Sequence, residues 1–501
     1  GEITVSAGGR RCPSCGNETY ENVCDCGTRT EPVSRCPSCD IEVDGDEECP
    51  RCGGETTTVQ RFDVRIDEKY REALENVGER PSYDILKCVK GLMSERETPE
   101  PLEKGVLRAK HDISTFKDGT VRYDMTDLPL TAFRPDEIGV SVEKLREMGY
   151  ERDIDGEPLR EPEQVVELKP QDVVLSRDSA KYLMRVADFV DDLLVQYYGV
   201  EPYHEIDNVD DMVGELVMGL APHTSAGVLG RVVGFTDASV GYAHPFFHAA
   251  KRRNCDGDED CVTLMSDALL NFSREYLPDR RGGRMDAPLV MTSRIDPTEI
   301  DDEAHNVDKV SHYSASFHEA ALEYTHPKEV DVRIAEDDLG TSHAFDGFGH
   351  TVETTCIDAG PENSAYKILP SMDEKTMAQL EIGRKTRAVD ESDVAERVVE
   401  SHFLPDLIGN LRAFTQQEFR CLDCNQKFRR PPLSGDCDCG GQVTLTVHKG
   451  SVKKYLDVAL ETGEKYGVSD YTMQRLEQLQ RQIDSLFEDD KSTQSGIADF
   501  M

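Results

Sequence analysis

Apolar positions along this chain fall into three regimes. Residues 1–60 show almost no hydrophobic periodicity; Cys, Gly and Pro crowd them, so something other than a packed face must hold them together. Residues 61–176 mix short apolar stretches with acidic loops and Pro-bearing breaks around Pro99 and Pro101. The run S-R-D-S-A-K-Y-L-M-R-V-A-D-F-V-D-D-L-L-V-Q-Y-Y-G, beginning at Ser176, has helical spacing and a stop at Gly199. After it, G-V-L-G-R-V-V-G-F-T and A-S-V-G-Y-A are short, glycine-punctuated and β-like. The stretch V-T-L-M-S-D-A-L-L-N-F-S-R-E-Y-L, from Val262, reads as an amphipathic helix ending before Pro278. Helical patterns return around 395–416 and over about 452–488, with a break near Gly467. The last dozen residues carry nothing that would tether them.

Charge changes the picture of the surface. The formal net charge is -41, from 98 Asp and Glu against 57 Lys and Arg, and arginine outnumbers lysine. The excess is spread along the chain without long like-charge blocks, which reads as a surface hydrated for high salt rather than a disordered acidic tail. No apolar run approaches the roughly 18 residues of a membrane span, and no signal-like start precedes the pattern, so a cytoplasmic protein with no membrane partner is expected. The chain opens on Gly1 rather than Met, as expected of a piece of a longer protein.

Cysteine supplies what the first 60 residues lack. Twelve of the 16 Cys fall in three quartets: Cys12, Cys15, Cys24 and Cys26; Cys36, Cys39, Cys49 and Cys52; Cys421, Cys424, Cys437 and Cys439. Two short knuckles joined by a hairpin give the four soft ligands of a closed, structural zinc site. The second quartet has C-x-x-C on both sides; the first and third share a C-x-C variant. Interleaved pairing, with Cys12 and Cys15 joined to Cys36 and Cys39, is open at this level. Cys255 and Cys261 read as small buried residues.

Candidate catalytic chemistry lies at K-R-R-N-C-D-G-D-E-D, residues 251–260. Asp256, Asp258 and Asp260 recur every second residue, an oxygen-rich pattern suited to a hard divalent cation. A helix-loop-helix calcium site would need Gly at its sixth position and Glu at its twelfth; Cys261 and Asp267 stand there. Metal-assisted phosphoryl or nucleotidyl transfer asks for carboxylates to hold metal and for cations to meet phosphates. Lys251, Arg252 and Arg253 precede the motif; Arg280, Arg281 and Arg284 follow in D-R-R-G-G-R. Phosphate contact is expected of all six. A solvated acidic loop is the bland alternative. The nearby His223, His244 and His248 read as hydrogen-bonding or packing residues.

The run L-A-P-H-T-S-A-G-V-L-G-R-V-V-G-F-T-D-A-S-V-G-Y-A-H-P-F-F-H-A-A-K-R-R-N-C-D-G-D-E-D resembles the large subunit of archaeal family D DNA polymerase. The likeness continues through L-L-N-F-S-R-E-Y-L-P-D-R-R-G-G-R-M-D-A-P-L-V and the zinc knuckles, and N-x-D-x-D-x-D is also the catalytic spacing of multisubunit RNA polymerases. The resemblance implies an α+β multidomain chain with a double-psi β-barrel catalytic core, zinc-ribbon modules and C-terminal helices. It implies template-directed addition of deoxynucleotides to a primer 3′-hydroxyl. Asp256 and Asp258 would hold catalytic Mg2+, with Asn254 and Asp260 in the same catalytic loop, and Zn2+ would be structural. Implied partners are primer-template DNA, dNTPs and a small subunit that houses a 3′–5′ exonuclease. A second barrel contributing lysines is not found in the sequence and is expected upstream. The composition suits a haloarchaeal source.

These readings divide the chain into tandem zinc knuckles (1–60), a connecting α/β region (61–175), a catalytic barrel region (176–400) and a third zinc module (401–450). A helical region (451–489) and a flexible tail (490–501) complete it. In the tail, Gln494, Ile497, Phe500 and Met501 match the pattern of peptides that dock on sliding clamps, departing at Met501, where an aromatic is usual. Two alternatives stand beside the polymerase reading: a zinc-ribbon scaffold binding DNA and clamp without catalysis, and an RNA-polymerase-like nucleotidyltransferase.

Overall fold

The computed structural model describes the chain except residues 44–47, 81–85, 90–98, 255, 256, 258, 278–283, 286, 350–355, 360, 361, 364, 387, 388 and 488–501, and the side chain of residue 366. The chain forms two compact units, Gly1–Glu362 and Asn363–Met501.

At the centre of the first unit six strands close into a mixed barrel. They are β1 (Tyr123–Pro129), β2 (Asp172–Ser176), β3 (Leu216–Leu220), β4 (Ala226–Thr236), β5 (Val240–Ala243) and β6 (Glu259–Leu264). Their order around the wall is β2-β5-β1-β6-β3-β4, and a parallel pairing of β2 with β4 shuts the ring. The pairs β5·β1 and β2·β4 are parallel; the other four are antiparallel. A short strand β7 (Val290–Thr292) extends the far edge of β4. A barrel was expected as the catalytic core; the one found is closed, six-stranded and mixed. Two of its strands, β1 and β2, come from the stretch 61–175 expected to be a connector.

The strands form where β-branched residues can be covered on both faces. Val173, Val174, Val217, Val228, Val232, Val233 and Val262 are all buried. Each such side chain contributes about 1.5–3 kcal/mol on burial. A helix, α2 (Arg177–Asp192), covers one side; the preceding α1 (Leu102–Lys110) packs near it. α2 buries Ala180, Leu183, Ala187 and Val190 at helical spacing. Ser176 caps it, its hydroxyl accepting the Ser179 N–H at 3.0 Å. The helix relaxes into a π-turn (Leu193–Tyr198) and stops at Gly199, whose φ of 66° is open to glycine without strain.

One expected helix begins late. Val262–Leu264 is the end of strand β6, and the helix α4 spans only Met265–Asn271. Val262, Thr263 and Leu264 pair with β3, and Val262 also with β1; all three are buried, so neighbours on both sides override the helical periodicity.

At the start of the chain, strands Glu2–Gly8 and Val59–Arg65 pair antiparallel, from Glu2 opposite Arg65 to Gly8 opposite Val59. They bracket the two cysteine knuckles. In the second unit, helices α5 (Met372–Thr386), α6 (Glu391–Val398), α7 (Leu404–Gln416), α8 (Leu456–Tyr466) and α9 (Asp470–Phe487) share a core that includes Val399, Phe403, Leu407, Leu456, Leu476 and Ile483. The third cysteine module is inserted between α7 and α8 as a three-stranded sheet. Gly467, with φ 68°, makes the expected break. No helix among the described residues is long and apolar enough to cross a membrane.

Candidate active site

The acidic loop is carried between helix α3 (Pro245–Ala250) and strand β6. His244 caps α3, its Nδ1 accepting the Phe246 N–H at 3.1 Å, and Pro245 occupies the first turn, where a missing N–H costs nothing. Burial holds the His244 imidazole down at about 3, so it serves as a neutral cap. At the end of α3 the Lys251 N–H reaches the carbonyls of Phe247 and His248, at 3.2 and 3.0 Å. The chain then turns through Arg252, in the left-handed region at φ 61°, and through Gly257, at φ 87°. Gly257 lies against β1: a Cβ there would stand 3.7 Å from Thr126 Cγ2 and 3.6 Å from Leu128 Cδ2.

Four buried ionisable side chains come from these elements: Asp127 on β1, His248 on α3, Lys251 at the end of α3 and Asp260 on β6. The Lys251 ammonium is ion-paired with the Asp260 carboxylate. His248 Nε2 donates to the Leu128 carbonyl at 3.0 Å, which directs Nδ1 toward Asp127 Oδ2, 3.2 Å away. Burial lowers the His248 pKa, and the Lys251 charge lowers it further. Apart from that His248 approach, neither Asp127 carboxylate oxygen meets a hydrogen-bond partner among the described residues. Oxygen or nitrogen atoms of Asp127, His248 and Asp260 lie within 4.8 Å of one another.

Against the sequence expectations, the residues separate. Asp256 and Asp258 lie outside the described residues, as do Cys255, Arg280 and Arg281 and the tail residues Gln494, Ile497, Phe500 and Met501. Asn254 and Arg252 are exposed on the loop. Arg253 is half-buried and donates to the Glu259 carbonyl at 3.1 Å. Arg253 and Asn254 line a cavity of about 430 Å3 with Pro129, Pro245, Asp301 and Glu303. The half-buried Arg284 accepts the Ser225 hydroxyl on its carbonyl at 3.5 Å. Lys251 and Asp260 are both buried and ion-paired with each other, as a charge taken from water needs a buried counter-charge. Cys261 is buried as expected. Sequence reasoning did not single out Asp127: in Y-D-M-T-D-L-P it stands beside Asp124 and Thr126, which are equally polar, and no spacing connects it to 254–260.

For a hard cation the composition of the loop is suitable: residues 254–260 supply carboxylates and an amide, and Arg252 and Arg253 precede them in sequence. The zinc expectation meets described geometry. Each quartet converges in sequence order, so the interleaved pairing is set aside. The Sγ atoms of Cys12 and Cys26, Cys15 and Cys24, Cys36 and Cys52, Cys421 and Cys439, and Cys424 and Cys437 stand 3.5 Å apart. Tetrahedral zinc–sulfur bonds of about 2.3 Å place sulfurs about 3.8 Å apart, so the thiols fit such an ion. The Thr28 hydroxyl, with its backbone N–H, brings Cys26 down to about 6, and backbone amides, that of Cys424 first, bring Cys421 to about 7. Thiolates are what zinc binds.

Comparison with known proteins agrees with the barrel and its loop. Residues 78–375 match the model of the DNA polymerase II large subunit DP2 catalytic domain, and residues 1–45 match that of its central domain. The chain is 60% identical, over its whole length, to a DNA polymerase II large subunit of Natronomonas pharaonis and covers 43% of that protein. The corresponding subunit of Methanocella arvoryzae is 57% identical, with 44% of it covered, and that of Halobacterium salinarum 42% identical, with 52% covered. The chain thus spans about half or less of the length of these relatives.

Proposed function

From the chain's membership of the archaeal DNA polymerase II large-subunit family, we propose that it carries the nucleotidyl-transfer centre of a template-directed DNA polymerase. The observation that supports this reading is the setting of the described flanks of N-C-D-G-D-E-D: α3 ends just before it, its last residues enter the barrel strand β6, and Gly257 rests on β1. Asp256 and Asp258 would hold Mg2+, which would supply activation of the primer 3′-hydroxyl and charge stabilisation of the leaving group. Asn254 presents its amide from the same crest. Arg252 and Arg253, with Arg280, Arg281 and Arg284, meet the phosphates of primer and incoming dNTP. Net acidity does not oppose this, because nucleic acid needs a local basic groove, not a basic surface.

Zn2+ in the three quartets is structural. The other partners are primer-template DNA, a small subunit bearing the 3′–5′ exonuclease, and a sliding clamp engaged by residues 494–501. The setting is cytoplasmic. Deleting 494–501 abolishes clamp-stimulated processivity and spares distributive synthesis; unchanged processivity with clamp present removes the clamp from the account.

The test of the central reading is primer extension in high salt with magnesium, using the complete large subunit and its small partner. Asp258→Ala is expected to lower extension by about a hundredfold or more, the scale of removing a key transition-state stabiliser. Ribonucleotides in the same assay separate this reading from an RNA-polymerase-like one. Undiminished extension by the variant would make the loop a solvated surface.

A further inference from the structure

Lys251 and Asp260 stand at the two ends of the acidic loop, nine positions apart, and their side chains meet inside the barrel. Their side-chain exposures are 1% and 0%. The path of the lysine is built for it. Gly219 on β3 leaves the space: a Cβ there would come 3.1 Å from Lys251 Cδ and 2.8 Å from Phe247 Cε1. The ammonium lies 4.9 Å from the centre of the Phe247 ring and is ion-paired with Asp260. Asp260 is fixed in turn, because its Oδ1 accepts the Cys261 N–H at 2.8 Å. Inside this pair a second link crosses the loop, from Arg253 Nη2 to the Glu259 carbonyl.

Asp127 adds a reason for the lysine. Its carboxylate and that of Asp260 are buried with oxygens within 4.8 Å of each other, so two like charges share a region of low dielectric. The Lys251 ammonium offsets that repulsion. A buried ion pair adds little stability over well-packed apolar residues of the same volume, but it admits few geometries. That is a requirement of a loop whose carboxylates must hold metal at fixed separation, not of a barrel wall.

Resting on the polymerase reading above, we propose that Lys251 and Asp260 form a clasp that positions the metal-binding crest of the loop, with Asp127 and His248 as its backing. Lys251 does not contact phosphate, and Asp260 does not bind the catalytic metal. Both are positioning residues.

The experiment measures Mn2+ binding by electron paramagnetic resonance, on the complete large subunit with its small partner and a primer-template. Lys251→Met and the double variant Lys251→Met/Asp260→Leu are compared with wild type. Both are expected to weaken Mn2+ binding by about 10- to 100-fold, the scale for a partner behind a metal ligand. The Mg2+ concentration for half-maximal extension should rise in parallel. The double variant, with an apolar pair in place of the charges, should keep the wild-type circular dichroism spectrum and zinc content. The sign of the Lys251→Met result is decisive. Were Lys251 only a nearby positive charge, its removal would tighten cation binding. Unchanged or tighter Mn2+ binding therefore overturns the clasp. So does a double variant that fails to fold, which would make the pair a determinant of the barrel itself. Asp258→Ala serves as the control on the underlying reading. If that variant binds Mn2+ as wild type does, the metal is elsewhere and the polymerase reading of the loop fails, whatever Lys251 does.

Discussion

The barrel and the cysteine modules solve the same problem by different means. Around the barrel, Val174, Val217, Val228, Val232 and Leu264 are fully buried and belong to one apolar cluster. Among the described residues up to 60, the buried apolar side chains are Cys12, Cys24, Cys36 and Cys49 with only Ala7, Val33 and Val43, and none of these belongs to an apolar cluster. In the third module, Cys421 and Cys437 are buried in the same way. The barrel excludes water over a large surface. The knuckles gather thiols around a point. Hydrophobic burial is spread over many side chains, each worth a few kcal/mol, whereas a knuckle concentrates its stability in one ion. Catalytic geometry belongs on the first kind of scaffold, because a loop anchored to a packed wall keeps its shape.

The strongest way to break this contrast is to take the metal away. Structural zinc contributes apparent binding energies of about 10–16 kcal/mol to small modules, far more than the few buried side chains of residues 1–60 supply. A strong chelator should therefore unfold the knuckles while the barrel remains. Proteolysis should cut within residues 1–60 and 417–447, and hydrogen exchange of β1 to β6 should stay slow. Equal loss of protection in barrel and knuckles would show one cooperative unit and end the distinction.

The same contrast explains what could be read from the sequence. A zinc quartet is local: Cys36, Cys39, Cys49 and Cys52 announce themselves within 17 positions, and the fold brings those four together. Helix α2 was equally legible, since its periodicity and Gly199 stop are both in the chain. The barrel was legible as glycine-punctuated strands and through family resemblance, but its closure was not. β1 lies between β5 and β6, more than a hundred positions away in sequence, and so brings Asp127 under the loop. No local pattern encodes that approach. The inward turn of Lys251 was hidden for the same reason: its cause is the missing side chain at Gly219, 32 positions earlier. Val262–Leu264 misled because a strand buried on both faces is a continuous apolar run, which periodicity does not distinguish from a buried helix.

A smaller perturbation sharpens the contrast from the other side. Phe235 sits near the end of β4, 2% exposed, where β4 pairs with β2: Leu175 is its partner in the parallel register. Its neighbour Gly234 is packed so closely on Ile138 that a Cβ there would come within 2.6 Å, so this wall has little slack to fill a void. Phe235→Ala should therefore cost about 3–5 kcal/mol, because the lost burial is joined by a cavity that cannot collapse. For a unit spanning Gly1–Glu362 that lowers the thermal midpoint by about 4–7 °C. Differential scanning calorimetry in high salt, with zinc content measured on the same sample, checks it. The expected result is a lower barrel transition with all zinc retained, since none of the twelve zinc-type cysteines belongs to the apolar cluster that Phe235 supports. Release of zinc by this substitution would mean that the barrel core also holds the knuckles closed, and stability in this chain would then be shared rather than divided.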